Sequence, residues 1–175
     1  MYPKIDRDGV VKYHIRPLTG LTKKQRWIVS LIEEMGYKCY WVEEDIFPPR
    51  ILNADRVAFL HYEQTCTEEE LHSILALTDH KFKKVLVSKS AYKYFKQNGE
   101  TPDLTESLIH EAVHVFLWPT KMVETDSHGF NFKCLYTYLI IKYLNFYRAD
   151  PKLILEEKDV RPIAEKILKE AGVYP

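Results

Sequence analysis

Residues 101–118 read Thr101-Pro-Asp-Leu-Thr-Glu-Ser-Leu-Ile-His110-Glu111-Ala-Val-His114-Val-Phe-Leu-Trp118. The start is suited to a helix. Thr101 can cap it, Pro102 fits the first helical position, and Asp103 faces the positive end of the helix dipole. The spacing predicts a helix from Thr101 to about Leu117, stopping before Pro119. His110 and His114 then lie one turn above each other and point the same way. Two neutral imidazole nitrogens so placed can bind one Zn²⁺. Glu111 lies beside that metal rather than on it, where it can take a proton from water.

Both flanks of the motif are apolar, Leu108-Ile109 before it and Val115-Phe116-Leu117-Trp118 after. Three polar side chains therefore sit in a segment that reads as buried. Unpartnered buried His and Glu are costly, and a metal removes that cost. The plain alternative is two core histidines bonded to backbone carbonyls, with Glu111 at the surface. A structural zinc site is a second alternative, although such sites favour four protein ligands and cysteine.

Working outward, the next informative stretch is Asp126-Ser127-His128-Gly129-Phe130-Asn131-Phe132. His128, reached after a loop, can complete a three-ligand site with water in the fourth position. Glu124 and Asp126 are carboxylate candidates for the same role. Cys134, six residues past His128 and poorly aligned with it on a helix, reads as core.

HExxH, a loop and then His-Gly-x-x-Phe resembles the SprT-like zinc metallopeptidases, whose best-known eukaryotic member is Spartan. The matching residues are His110, Glu111, His114, His128, Gly129 and Phe132, within about residues 105–140. The resemblance implies that His110, His114 and His128 bind zinc and that Glu111 is general base and acid. It also implies a minimal zincin-like core, in which a short sheet lies over the HExxH helix. The chain departs from the family in having no cysteine pairs for the zinc ribbon many members carry. The DNA–protein crosslink role of Spartan is not carried over. The metzincin pattern is excluded, because the position six after His114 is Thr120.

The remainder reads as one α+β domain, 1–175, with a small three-stranded sheet packed on helices. Strands are expected at Tyr37–Val42, Arg56–Tyr62 and Lys84–Ser88. Helices are expected at Thr22–Met35, Thr67 to about Leu77, Ser90–Gln97, about His128–Tyr147 and Val160–Ala171. Residues 1–20, punctuated by Pro3, Gly9, Pro17 and Gly20, read as irregular and as a candidate inhibitory segment. The 25 basic and 25 acidic residues cancel, so no global charge asks for nucleic acid or an anionic membrane. Three scattered cysteines, Cys39, Cys66 and Cys134, read as reduced thiols. The charged start and the lack of a long apolar run place the protein in the cytoplasm, with no membrane span.

Four histidines, His14, His61, His72 and His80, read as ordinary surface or loop residues. His61 with Tyr62, expected at a strand end, is a weaker candidate for a donor near the developing oxyanion. Lys81, Lys83, Lys84, Lys89, Lys93 and Lys96 cluster among Tyr92, Tyr94 and Phe95. They offer a weak contact for nucleic acid, against the plainer reading of a solvated helix face. The reading that results is a zinc-dependent metallopeptidase acting on a protein or peptide substrate held along an edge strand, Arg56–Tyr62 or Lys84–Ser88. Two rivals stand beside it: a zinc-stabilised protein- or DNA-binding module without hydrolysis, and another metal-assisted hydrolase.

Overall fold

The first helix of the computed structural model, which describes residues 3–5, 11–52 and 55–175, begins where the chain supplies its own cap. Thr22 accepts from the Gln25 backbone N–H and the Gln25 side chain returns the bond to Thr22, fixing the start of α1 (Lys23–Glu34). The described chain then runs through β4 (Lys38–Val42), α2 (Pro49–Leu52), α3 (Arg56–Thr65), α4 (Glu68–Leu71), β5 (Ala76–Asp79) and β6 (Lys84–Ser88). It continues through α5 (Lys89–Gln97), α6 (Leu104–Leu117), α7 (Phe130–Tyr143), a 3-10 turn at Phe146–Arg148 and α8 (Glu157–Ala171). Three short strands precede α1: β1 (Lys4–Ile5), β2 (Val11–Lys12) and β3 (Ile15–Pro17). The architecture is mixed α and β, with a four-stranded sheet in the order β3-β4-β6-β5 and a separate β1-β2 pair. β3 and β4 are antiparallel, with Arg16 opposite Trp41.

Several sequence expectations are corrected here. Arg56–Tyr62 is the body of α3, not a strand. Asp55 caps it by accepting from Ala58 N at 2.8 Å, and its β-rich composition faces water, with Tyr62 as its buried residue. Thr67 caps α4 as expected, but that helix ends at Leu71, and Ala76–Asp79 turns into an edge strand. Lys84–Ser88 is a strand, but it lies between β4 and β5 and so offers no free edge. The sheet therefore has four strands rather than three. Residues 1–20 are not irregular throughout, since they hold β1, β2 and β3; Gly9 lies outside the described residues.

The chain divides into two compact units. The first comprises Met1–Thr19, Tyr40–Leu77 and Leu86–Pro102. One of its clusters gathers Val42, Ile46 and Leu86 with Tyr13, Tyr40, Ile74 and Leu77. Another gathers Phe47, Ile51 and Tyr62 with Val11, Phe59 and Cys66. The second unit comprises Gly20–Cys39, Thr78–Val85 and Asp103–Pro175. In it α6 packs against α1, α7 and α8. Leu108, Ile109, Val113, Val115 and Phe116 of α6 are fully buried, as are Leu135 and Ile140 of α7 and Ile167 of α8. Each such side chain contributes about 1.5–3 kcal/mol by leaving water, so α6 is held by its packing over most of its circumference. No helix among the described residues is long and apolar enough to cross a membrane.

Candidate metal centre

α6 opens one turn later than the sequence predicts. Asp103, not Thr101, is its cap, accepting from Thr105 N at 2.9 Å and Glu106 N at 3.3 Å. The helical phase of the motif is unaffected. His110 and His114 project from one face, with ring centroids 5.1 Å apart. His128 comes from the turn before α7 and meets both: its Nε2 lies 3.1 Å from Nε2 of His110 and 3.1 Å from Nε2 of His114. The three nitrogens form one group close enough to hold a single metal ion.

The protonation states suit that role. Burial, with the nearby His128, pushes the His110 pKa down to about 4. Burial and the neighbouring imidazoles push that of His114 down to about 2. Burial lowers that of His128 as well. Three neutral rings cannot satisfy one another. One Nε2–H can bridge a single pair and leaves the third lone pair facing nitrogen. A metal cation resolves this, so the donor set fits such an ion.

Backbone capping positions the third histidine. Glu124 accepts from Asn131 N at 2.6 Å, in the first turn of α7. Asp126 accepts from His128 N at 3.0 Å, and the Asn131 side chain donates to Met122 O at 2.8 Å. The two carboxylates weighed as metal ligands are therefore occupied in shaping the turn. Gly129 leaves room for this packing: a Cβ would stand 2.9 Å from Glu124 Oε1 and 3.2 Å from the Asp126 carbonyl oxygen, so the capping carboxylate would have to shift. Phe132 is the floor of the site, with its ring centroid 5.0, 4.6 and 4.8 Å from those of His110, His114 and His128. Tyr136 stacks beyond it, donates to Glu106 Oε1 at 2.7 Å and accepts from Asp150 N at 2.8 Å. Burial raises the Glu106 pKa despite that hydrogen bond.

Glu111 is buried, and burial pushes its carboxyl pKa up to about 8. Thr78, on edge strand β5, donates to Glu111 Oε1 at 3.2 Å. No described residue bonds Oε2, and no buried side-chain oxygen among the described residues lacks a partner, so Oε2 keeps some exposure. A carboxyl fixed by one oxygen and open at the other can exchange a proton with water.

The other sequence candidates fall elsewhere. His61 is exposed on α3, and Tyr62 is buried against Phe47 and beneath the Arg50 guanidinium. His72 is not a surface residue: it is buried with Nδ1 2.6 Å from Asp45 Oδ1. His14 has an exposed ring bonded to Glu44. The six lysines are divided by β6, with Lys81, Lys83 and Lys84 at its start and Lys89, Lys93 and Lys96 on α5 at its end. All three cysteines are free thiols, and burial pushes Cys39 up to about 12 and Cys134 up to about 11. Thr78, Tyr136 and Glu106 had no sequence signal; Phe132 stood inside the motif without an assigned role. Comparison with protein-family models, with curated proteins and with solved structures returns no match.

Proposed function

We propose that this chain is a zinc-dependent metallopeptidase with a minimal zincin-like core of the SprT-like pattern. The observation that carries this reading is the convergence of His110, His114 and His128 Nε2, with a buried carboxyl, Glu111, next to His110 in the same helix. An all-imidazole set suits zinc, as it does copper, iron and nickel, and three protein ligands leave the open position of a catalytic zinc site. Three nitrogens at zinc's usual 2.0–2.1 Å in a tetrahedral array stand about 3.3 Å from each other, close to the 3.1 Å separations here. Zinc so held supplies Lewis acidity that polarises a carbonyl and makes water nucleophilic near neutral pH.

The chain's own residues do the rest. Thr78 fixes one oxygen of Glu111, and the other takes a proton from the attacking water and returns it to the amine nitrogen as the C–N bond breaks. Phe132 holds the three imidazoles in register. β5 carries Thr78 at a sheet edge, which suits an extended peptide substrate.

The test is zinc per chain after purification without added metal, paired with hydrolysis of unfolded casein. Wild type and Glu111→Gln should each carry about one zinc, and His128→Ala much less. Glu111→Gln should lose on the order of 10²–10⁴ in rate. Zinc in wild type with no hydrolysis would favour a zinc-stabilised binding module. Full zinc in His128→Ala would remove the three-histidine site.

A further inference from the structure

His80 lies outside the motif that supplies the three imidazoles, yet it is held against the same helix. It directly follows β5. Thr78, two residues earlier and in β5, bonds Glu111. The His80 ring lies flat on the Trp118 indole, with centroids 4.0 Å apart and planes 8° from parallel. Trp118 is four residues past His114 and donates its N–H to the His114 carbonyl. It therefore shares the His114 face of α6, about 6 Å further along the axis. His80 is thus held against the residue one helical turn beyond His114.

The ring is fixed at one nitrogen and open at the other. Nδ1 lies 2.7 Å from the buried Tyr37 hydroxyl. Burial raises the Tyr37 pKa and lowers that of His80, so a protonated phenol faces a neutral imidazole. Nδ1 is the phenol's hydrogen-bond partner among the described residues; with the phenol donating, Nδ1 accepts and the ring proton resides on Nε2. No described residue bonds Nε2, and no buried side-chain nitrogen among them lacks a partner, so Nε2–H opens to solvent. The result is a hydrogen-bond donor whose tautomer is set by Tyr37 and whose plane is set by Trp118.

We propose that His80 binds substrate in the reaction: its Nε2–H donates to the carbonyl oxygen of the peptide bond under attack, on the His114 side of the triad. This rests on the metallopeptidase reading. As water adds to the carbon, the carbonyl π pair moves onto that oxygen, and the hydrogen bond strengthens with the growing charge. When the C–N bond breaks the carbonyl re-forms and the bond relaxes. A donor already oriented in the free enzyme needs no rearrangement at that moment, so its effect falls on kcat more than on KM.

The experiment compares zinc-loaded wild type, His80→Phe, His80→Gln, Tyr37→Phe and Glu111→Gln on one fluorogenic peptide, with zinc content and Tm measured on the same samples. Phe keeps a ring on Trp118 and removes the donor. His80→Phe should lower kcat on the order of 10²-fold, with KM, zinc and Tm near wild type. His80→Gln, which retains an N–H, should recover part of that loss, and Tyr37→Phe should lose less. In ¹⁵N-histidine-labelled Glu111→Gln, the His80 Nε2 signal should shift when the same peptide is added. Wild-type kcat in His80→Phe overturns the proposal, as does a loss accompanied by lost zinc or lowered Tm. Hydrolysis present in wild type, absent in Glu111→Gln and untouched in His80→Phe overturns the His80 assignment alone. No hydrolysis in wild type overturns the metallopeptidase reading and this one with it.

Discussion

In the first unit, His72 is buried with Nδ1 2.6 Å from Asp45 Oδ1, its ring stacked 4.2 Å from Tyr94, while Ser90 donates to Asp45 Oδ2 at 3.1 Å. In the second, His110, His114 and His128 are packed against one another and the ring of Phe132. The first buries its imidazole and the second half-buries three. One closes on an acid within the chain, whereas the other brings three imidazole nitrogens together in a group that could hold a metal ion. Burial of histidine therefore says little about metal binding; what stands opposite the ring decides it.

That contrast can be broken at several points. Phe132→Ala removes the shared floor of the metal cluster, and a buried Phe→Ala change costs about 3–5 kcal/mol. Equilibrium urea unfolding should show that loss, and zinc titration should show affinity weakened by about 10–100-fold, as for lost support around metal ligands. Zinc affinity equal to wild type would show that the three rings hold their places unaided. Asp45→Ala acts on the other cluster and strands the buried His72 donor, at about 1–3 kcal/mol. Stability should fall while zinc per chain stays constant. A fall in zinc content would mean the two clusters are not independent.

The smallest effect sharpens the pH side. Burial holds the Glu106 pKa above its ordinary value of 4.5. Between that value and the folded pKa, the folded state binds more protons than the unfolded state, so stability declines as pH rises through the window. Glu106→Gln removes the titration and keeps an acceptor for Tyr136. Its urea midpoint should match wild type at low pH and move ahead as pH climbs, the gap levelling off above the folded pKa. A gap independent of pH would mean Glu106 does not titrate in this range.

The site was more legible in the sequence than the sheet. His110, Glu111 and His114 could be placed together because helix geometry is local and fixed, and His128 because it stood in a recognisable motif. The sheet depended on weaker signals. Arg56–Tyr62 carries Val57, Phe59 and Tyr62, which favour strands, but α3 exposes Val57 and Leu60 and packs through Phe59 and Tyr62 at helical spacing. Ala76–Asp79 is four residues, all half-buried, so no alternation marks it. Thr78 and His80 were missed for the same reason: their importance lies in contacts to α6 from more than thirty positions away, which no local pattern encodes.

The turn that Glu124 and Asp126 build before α7 has a consequence for order of assembly. Winding α6 is enough to present a two-nitrogen clamp, since His110 and His114 need only their own helix. The third arm arrives only when residues 115–127 have looped back and the first turn of α7 has been capped by Glu124. Two nitrogens alone would hold a metal ion weakly and the third would retain it, so the tightness of metal binding would report whether the start of α7 is intact.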